Sequence, residues 1–153
     1  MNLLPSSGSN IENYGDRVEM KKVLVVENHP DMLEVLTWQM ELMGYSVIAA
    51  RHGKEGVEKA LKEKPQLILM DIMMPGMDGR EATRMIRANP ETHKIPVLAA
   101  TVLFQESDLR SCLEAGCNDT ITKPFSYQEL HGKIQGLPYK QAFSQGAKMD
   151  DPS

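Results

Sequence analysis

The chain has 153 residues, room for one domain with a sizeable core and too few for two ordinary ones. An apolar share of 41% and a charged share of 25% are those of a packed globular protein, and a net charge of -4 excludes the basic surface that coats nucleic acid. No apolar run approaches the roughly 20 residues of a membrane helix, and two cysteines, Cys112 and Cys117, are too few for a disulfide framework and read as small core residues.

Residues 1–20 are polar, with Pro5, Ser6, Ser7, Gly8, Ser9 and Asn10 in a row, and predict a mobile arm. They hold no basic stretch leading into a long apolar one, so no signal peptide is expected and the expected compartment is the cytoplasm. The first strand is "VLVV", Val23 to Val26. Pro30 then opens a helix at a favoured early position, with Leu33, Leu36, Met40 and Met43 as its apolar stripe and Gly44 as its end. Trp38 lies on that helix off the stripe, either half-exposed or part of a contact surface. "YSVIAA" (Tyr45 to Ala50) is the second strand, followed by a helix carrying Val57, Ala60 and Leu61. "LILM" (Leu67 to Met70) runs straight into Asp71 and is followed by a helix striped with Ala82, Met85 and Ile86. "VLAAT" (Val97 to Thr101) precedes a helix with Leu109, Cys112 and Leu113, closed by Gly116. The weaker "DTIT" (Asp119 to Thr122) precedes a helix with Tyr127, Leu130, Ile134 and Leu137. Residues 138–153 form a polar tail, with Tyr139 and Phe143 as the pair that would dock it onto the body. His52, His93 and His131 show no metal-ligand spacing and are expected to be exposed, as is His29.

Continuously apolar strands suggest a sheet covered on both faces, and alternating strands and helices give a doubly wound parallel α/β sheet by right-handed crossovers. Such sheets hold ligands beyond the carboxyl ends of their strands. Glu27 and Asn28 follow the first strand, Asp71 ends the third, Thr101 ends the fourth and Lys123 follows the fifth. A hard cation among those carboxylates, faced by an ammonium and a hydroxyl, suits phosphoryl chemistry, and a carboxylate can be the nucleophile. Asn28 reads equally as a cap for the helix at Pro30 and as a metal contact.

"VLVVENHPDM", "LILMDIMMPGMDG", "PVLAAT" and "TKPF" resemble the four signatures of the response-regulator receiver domain, in that family's order and spacing. The resemblance spans residues 21–137. It implies a flavodoxin-like fold: a five-stranded parallel sheet of order 2-1-3-4-5 with five helices. It also implies Mg2+-dependent acceptance of a phosphoryl group on Asp71 from a sensor histidine kinase or phosphotransfer protein. Lys123 would pair with the acceptor and then with the phosphate, and Thr101 would close onto a phosphoryl oxygen. Mg2+ would be held by Glu27, Asn28, Asp71 and the backbone carbonyl of Met73. Output would be binding to a downstream protein through the surface around the fourth helix and fifth strand. A homodimer stays open, and no nucleic-acid or membrane partner is expected. The chain would be a phosphoacceptor with at most slow self-dephosphorylation rather than an enzyme, and stand-alone or excised from a longer regulator.

Three positions depart from the family pattern. Asn28 stands where the family usually has a second acid. The loss of one unit charge at about 4 Å is worth roughly 1 to 4 kcal/mol, which weakens Mg2+ binding. Thr120 replaces the aromatic residue that usually rotates inward on activation. Val102 follows Thr101 where a smaller residue is common. Met73 and Leu103, two residues after the acceptor and the threonine, are both apolar and cannot orient an attacking water, which predicts slow dephosphorylation. Asn28 and Thr120 also support a rival reading, a pseudo-receiver that binds its partner without phosphorylation. A flavin or phosphatase enzyme on the same architecture is disfavoured, because no glycine-rich phosphate loop follows the first strand.

Overall fold

The computed structural model describes residues 21–138; the expected arm and the tail residues Tyr139 and Phe143 lie outside the described residues. Five strands alternate with five helices: β1 (Lys21–Val26), α1 (Pro30–Leu42), β2 (Tyr45–Ala50), α2 (Gly53–Glu63), β3 (Leu67–Asp71), α3 (Gly79–Ala88), β4 (Val97–Thr101), α4 (Glu106–Ala115), β5 (Asp119–Thr122) and α5 (Tyr127–Gln135). All pairings are parallel and the spatial order is β2-β1-β3-β4-β5, the flavodoxin-like arrangement. β1 begins two residues earlier than its apolar run, and β3 includes Asp71.

The apolar runs are continuous because alternate residues feed two separate cores. Leu24, Val26, Ile68, Met70, Val97 and Ala99 meet Ala60, Ala82, Ile86 and Cys112 of α2, α3 and α4. Val23, Val25, Leu67, Leu69, Leu98 and Ile121 meet Leu36 and Met40 of α1 and Leu130 and Ile134 of α5. Leu61, Met85 and Leu113 of the stripes face solvent instead, at 39, 44 and 48% exposed. The buried face there is carried by Ala82, Thr83 and Ile86 on α3 and by Cys112 and Ala115 on α4, and Met85 and Leu113 turn to solvent.

Helix ends follow local chemistry. Pro30 occupies the first turn of α1, Gly44 follows α1 at φ +96°, and Gly116 closes α4 at φ +114°. The N-cap of α1 is His29 with no side-chain cap bond, so Asn28 does not cap that helix. α5 opens with a reciprocal capping box between Ser126 and Glu129. His131 is half-buried rather than exposed, because its ring stacks on Tyr127 with centroids 5.9 Å apart.

Arg87 fastens the far end of α3. Its Nε donates to the Gly116 carbonyl (2.9 Å), Nη1 to the carbonyls of Ile95 (2.7 Å) and His93 (3.1 Å), and Nη2 to Asn118 Oδ1 (2.9 Å). These four acceptors are neutral, and burial pulls the guanidinium pKa down. No helix among the described residues is long and apolar enough to cross a membrane.

Candidate functional site

The carboxyl ends of β1, β3, β4 and β5 form one rim, and backbone bonds fix each side chain there. Glu27 N–H donates to the Ala50 carbonyl (3.0 Å) and Ile72 N–H to the Ala100 carbonyl (3.1 Å), which continues the ladders past β1 and β3. Lys123 N–H donates to the Thr101 carbonyl at 2.8 Å. Side chains of Glu27, Asp71, Thr101 and Lys123 are thereby carried on a rigid frame rather than on free loops.

The rim is buried and charged. Glu27 is fully buried, and Asp71 is 4% exposed. Lys123 Nζ lies between them, 3.0 Å from Glu27 Oε1 and 3.2 Å from Asp71 Oδ1. One ammonium thus serves two carboxylates and leaves one excess negative charge. Burial pushes the Asp71 carboxyl up to about 6; the Lys123 ammonium opposes that rise and the neighbouring Glu27 charge adds to it. Asp71 is therefore mostly ionised above neutral pH, where a carboxylate can attack phosphorus.

Glu27 holds its position with its second oxygen. Oε2 accepts from the His29 backbone N–H (3.2 Å) and lies 3.3 Å from His29 Nδ1, while the His29 ring is exposed, as expected. Asn28 Oδ1 is buried and has no hydrogen-bond partner. Among the described residues no group of three or more His, Cys, Asp or Glu side chains forms a metal-holding cluster. The hard oxygen donors at this rim are two carboxylates and the orphaned Asn28 carbonyl. A buried acceptor without a donor fits a cation, and this donor set is the one hard divalent ions take.

The turn after Asp71 is built to bring α3 against the rim. Gly79 N–H donates to the Ile72 carbonyl (2.9 Å), and Asp78 caps α3 by accepting from Arg80 N (2.7 Å) and Glu81 N (3.4 Å). A Cβ at position 79 would run into the Asp71 carbonyl oxygen, so only glycine fits. The Met73 side chain is half-exposed at the mouth, Leu103 is partly buried, and Val102 and Phe104 are exposed beside them. Thr101 Oγ1 accepts from the Leu103 backbone N–H at 2.9 Å, an arrangement that leaves the hydroxyl hydrogen for donation. Thr120 lies on the edge strand β5, three residues before Lys123; with Leu109, Ile121, Gln128 and Gly132 it lines a hollow between α4 and α5.

Four of the sequence-selected side chains therefore stand at the rim, three of them in direct contact, with Asn28 next to Glu27 in the chain and Thr120 apart from them. Sequence reading passes over the contact of His29 with Glu27 and the Arg87 bracket. The spacing of two residues from an acid hints at the first; the second has no side-chain signature, because most of its acceptors are backbone carbonyls.

Comparison with known proteins places the chain in a wider set. Residues 23–135 match the response regulator receiver domain. The chain is 39% identical over 118 residues to Protein PilH of Pseudomonas aeruginosa, covering 77% of this chain and 98% of PilH. It is 37% identical over 117 residues to the alkaline phosphatase synthesis transcriptional regulatory protein PhoP of Bacillus subtilis, covering 76% of this chain and 48% of PhoP, so it spans about half the length of that regulator. Among solved structures, the receiver domain of sensor histidine kinase PA1611 from P. aeruginosa superposes with a TM-score of 0.70 at 35% identity, over 75% of this chain and 94% of that one. That structure holds a magnesium ion coordinated in the active-site cleft.

Proposed function

The chain belongs to the response regulator receiver family, and on that footing we propose that it is a phosphorylation-gated switch that accepts a phosphoryl group on Asp71. The observation that carries this reading is Lys123 Nζ shared between Asp71 and Glu27 at the buried rim. A carboxylate oxygen of Asp71 forms the new bond to phosphorus, the bond from phosphorus to the donor atom breaks, and the donor takes the electron pair. Lys123 orients the acceptor before transfer and neutralises charge on the product. Glu27, Asn28, Asp71 and the Met73 carbonyl are the residues that would hold Mg2+, whose charge would offset that of the phosphoryl oxygens. With Asn28 in place of an acid, that affinity is lower.

Transfer changes the charge on the Asp71 group from -1 to about -2 and adds acceptor oxygens. Lys123 then interacts more strongly on the Asp71 side, and the Thr101 hydroxyl donates to a phosphoryl oxygen. Thr101 also holds Leu103 N–H, so its reorientation moves the β4–α4 loop. Only interactions that differ between the two states shift the population, and a swing from mostly off to mostly on needs about 5.5 kcal/mol. With Thr120 where an aromatic would fill the hollow under α4, the swing is smaller. The donor is a sensor histidine kinase or phosphotransfer protein, and the output is binding of a downstream protein at the surface around α4 and β5, in the cytoplasm. Met73 and Leu103 keep the phosphorylated state long-lived.

The test is intact mass after incubation with acetyl phosphate and Mg2+. One added phosphoryl group on the wild type and none on Asp71→Asn supports the reading. No gain on the wild type at saturating Mg2+ overturns it. That outcome favours the second reading, a phosphorylation-independent interaction module, which rests on Asn28 and Thr120.

A further inference from the structure

Helix α1 has a second face that the core does not use. Leu36 and Met40 are buried, but Val35, Trp38 and Leu42 are 48, 60 and 56% exposed and recur at helical spacing along two turns. Between the buried and exposed faces lies Gln39, nine-tenths buried, whose Oε1 has no hydrogen-bond partner. An unpaired buried acceptor costs about 1 to 3 kcal/mol. A cover for this flank needs apolar side chains and a donor. It also needs positive charge, because α1 carries Asp31, Glu34 and Glu41 and no Lys or Arg.

The chain supplies a segment with those properties directly after α5 in the sequence. α5 packs on the same face of the sheet as α1, and Leu137 is buried in the same cluster as Leu36 and Met40. Both helices run back from the carboxyl rim, so Leu42 and the end of α5 lie at the same end of the sheet. The residues after Pro138 read "YKQAFSQGAK". Tyr139 and Phe143 are four apart, Lys140 and Lys148 bring positive charge with no acid among the ten, and Gln141 and Gln145 offer amide donors. The distance from Leu42 back to Val35 is about 10 Å at 1.5 Å per residue, well within the reach of ten residues.

We propose that residues 139–148 bind the Val35–Trp38–Leu42 flank of α1 as an intramolecular strap. The apolar pair covers the stripe, the lysines face the acids of α1, and an amide donor satisfies Gln39. The strap fastens the helix that leads directly out of the Glu27–His29 segment, and any partner approaching that flank must displace it. The proposal stands independently of whether Asp71 is phosphorylated.

Trp38 is the single tryptophan, so it reports on its own cover. The experiment compares acrylamide quenching and emission of Trp38 in the 153-residue chain, a Tyr139→Ser/Phe143→Ser double variant, and a chain stopped after Pro138. With the strap seated, the quenching constant of the wild type is about half that of both variants and its emission is blue-shifted. The full-length double variant decides the matter if the shortened chain does not fold. Equal quenching in wild type and double variant overturns the strap, and so does shielding that fades on dilution, which would identify a second copy as the cover.

Discussion

Two partly buried cations in this molecule are held in opposite ways. Arg87 sits in a cage of neutral oxygens, three backbone carbonyls and the Asn118 amide, that ties α3 to the loops before β4 and β5. Lys123 sits between two carboxylates at the carboxyl rim. The neutral cage contains nothing that titrates or reacts, so it holds in every state of the protein. The charged cage contains the carboxyl group of Asp71, and its balance changes whenever Asp71 gains a proton; under the proposed function a phosphoryl group would change it further. On that reading one arrangement serves permanence and the other serves change.

The largest effect is expected from emptying the neutral cage. Arg87→Leu leaves several partly buried acceptors without donors and should cost about 4 kcal/mol in urea unfolding, with the same loss at pH 5.5 and pH 8. A loss that varied strongly with pH would dissolve the contrast. Lys123→Met should cost about 3 kcal/mol at pH 7.5 by leaving two carboxylates uncompensated, and much less at pH 5, where a proton on Asp71 takes over part of the ammonium's role.

Next in size is the pH dependence of the wild type without Mg2+. The Asp71 carboxyl is raised from 3.8 to about 6 in the folded chain, so the folded state keeps a proton that the unfolded state releases. The favourable contribution is complete below pH 3.8 and is lost as pH rises through about 6, at most about 3 kcal/mol by linkage at 1.4 kcal/mol per unit. Unfolding curves between pH 4 and pH 8 should show this decline, Asp71→Asn should lack it, and phosphoryl uptake should fall off below about pH 6. A flat wild-type curve would show that Lys123 fully compensates the buried charge. Smallest is the effect at the mouth: Met73→Asn/Leu103→Glu should shorten the phosphorylated lifetime about tenfold, near 1.4 kcal/mol of barrier, read as the decay of the phosphorylated mass. An unchanged lifetime would remove Met73 and Leu103 from the account.

The rim was legible because β1, β3 and β4 are unbroken apolar runs that each stop at a polar residue: Glu27, Asp71 and Thr101. Lys123 was legible by its place just after the weak fifth run. The rest depends on relations that a linear pattern does not encode. Asn28 as a cap was a sound local expectation, yet the helix starts one residue later and leaves its oxygen unpartnered. Met85 and Leu113 fit a helical period, but Thr83 and Ala115 take the buried positions, because the rotation of α3 and α4 about their axes is set by packing against the sheet and not by the period alone. The capping box of α5 was written in "SYQE", a local signal that a reading by apolar stripes passes over.

The sheet itself divides the hydrophobic interior into two volumes that do not mix. Leu69 and Met70 are neighbours in the chain, yet they belong to opposite compartments. A void opened by Leu69→Ala can be refilled only from its own side, by α1, α5 or the strand side chains beside it, never by enlarging a side chain on α2 or α3. Truncations placed on opposite sides should therefore simply add in their cost, and compensating changes during divergence should stay on the side where the damage arose.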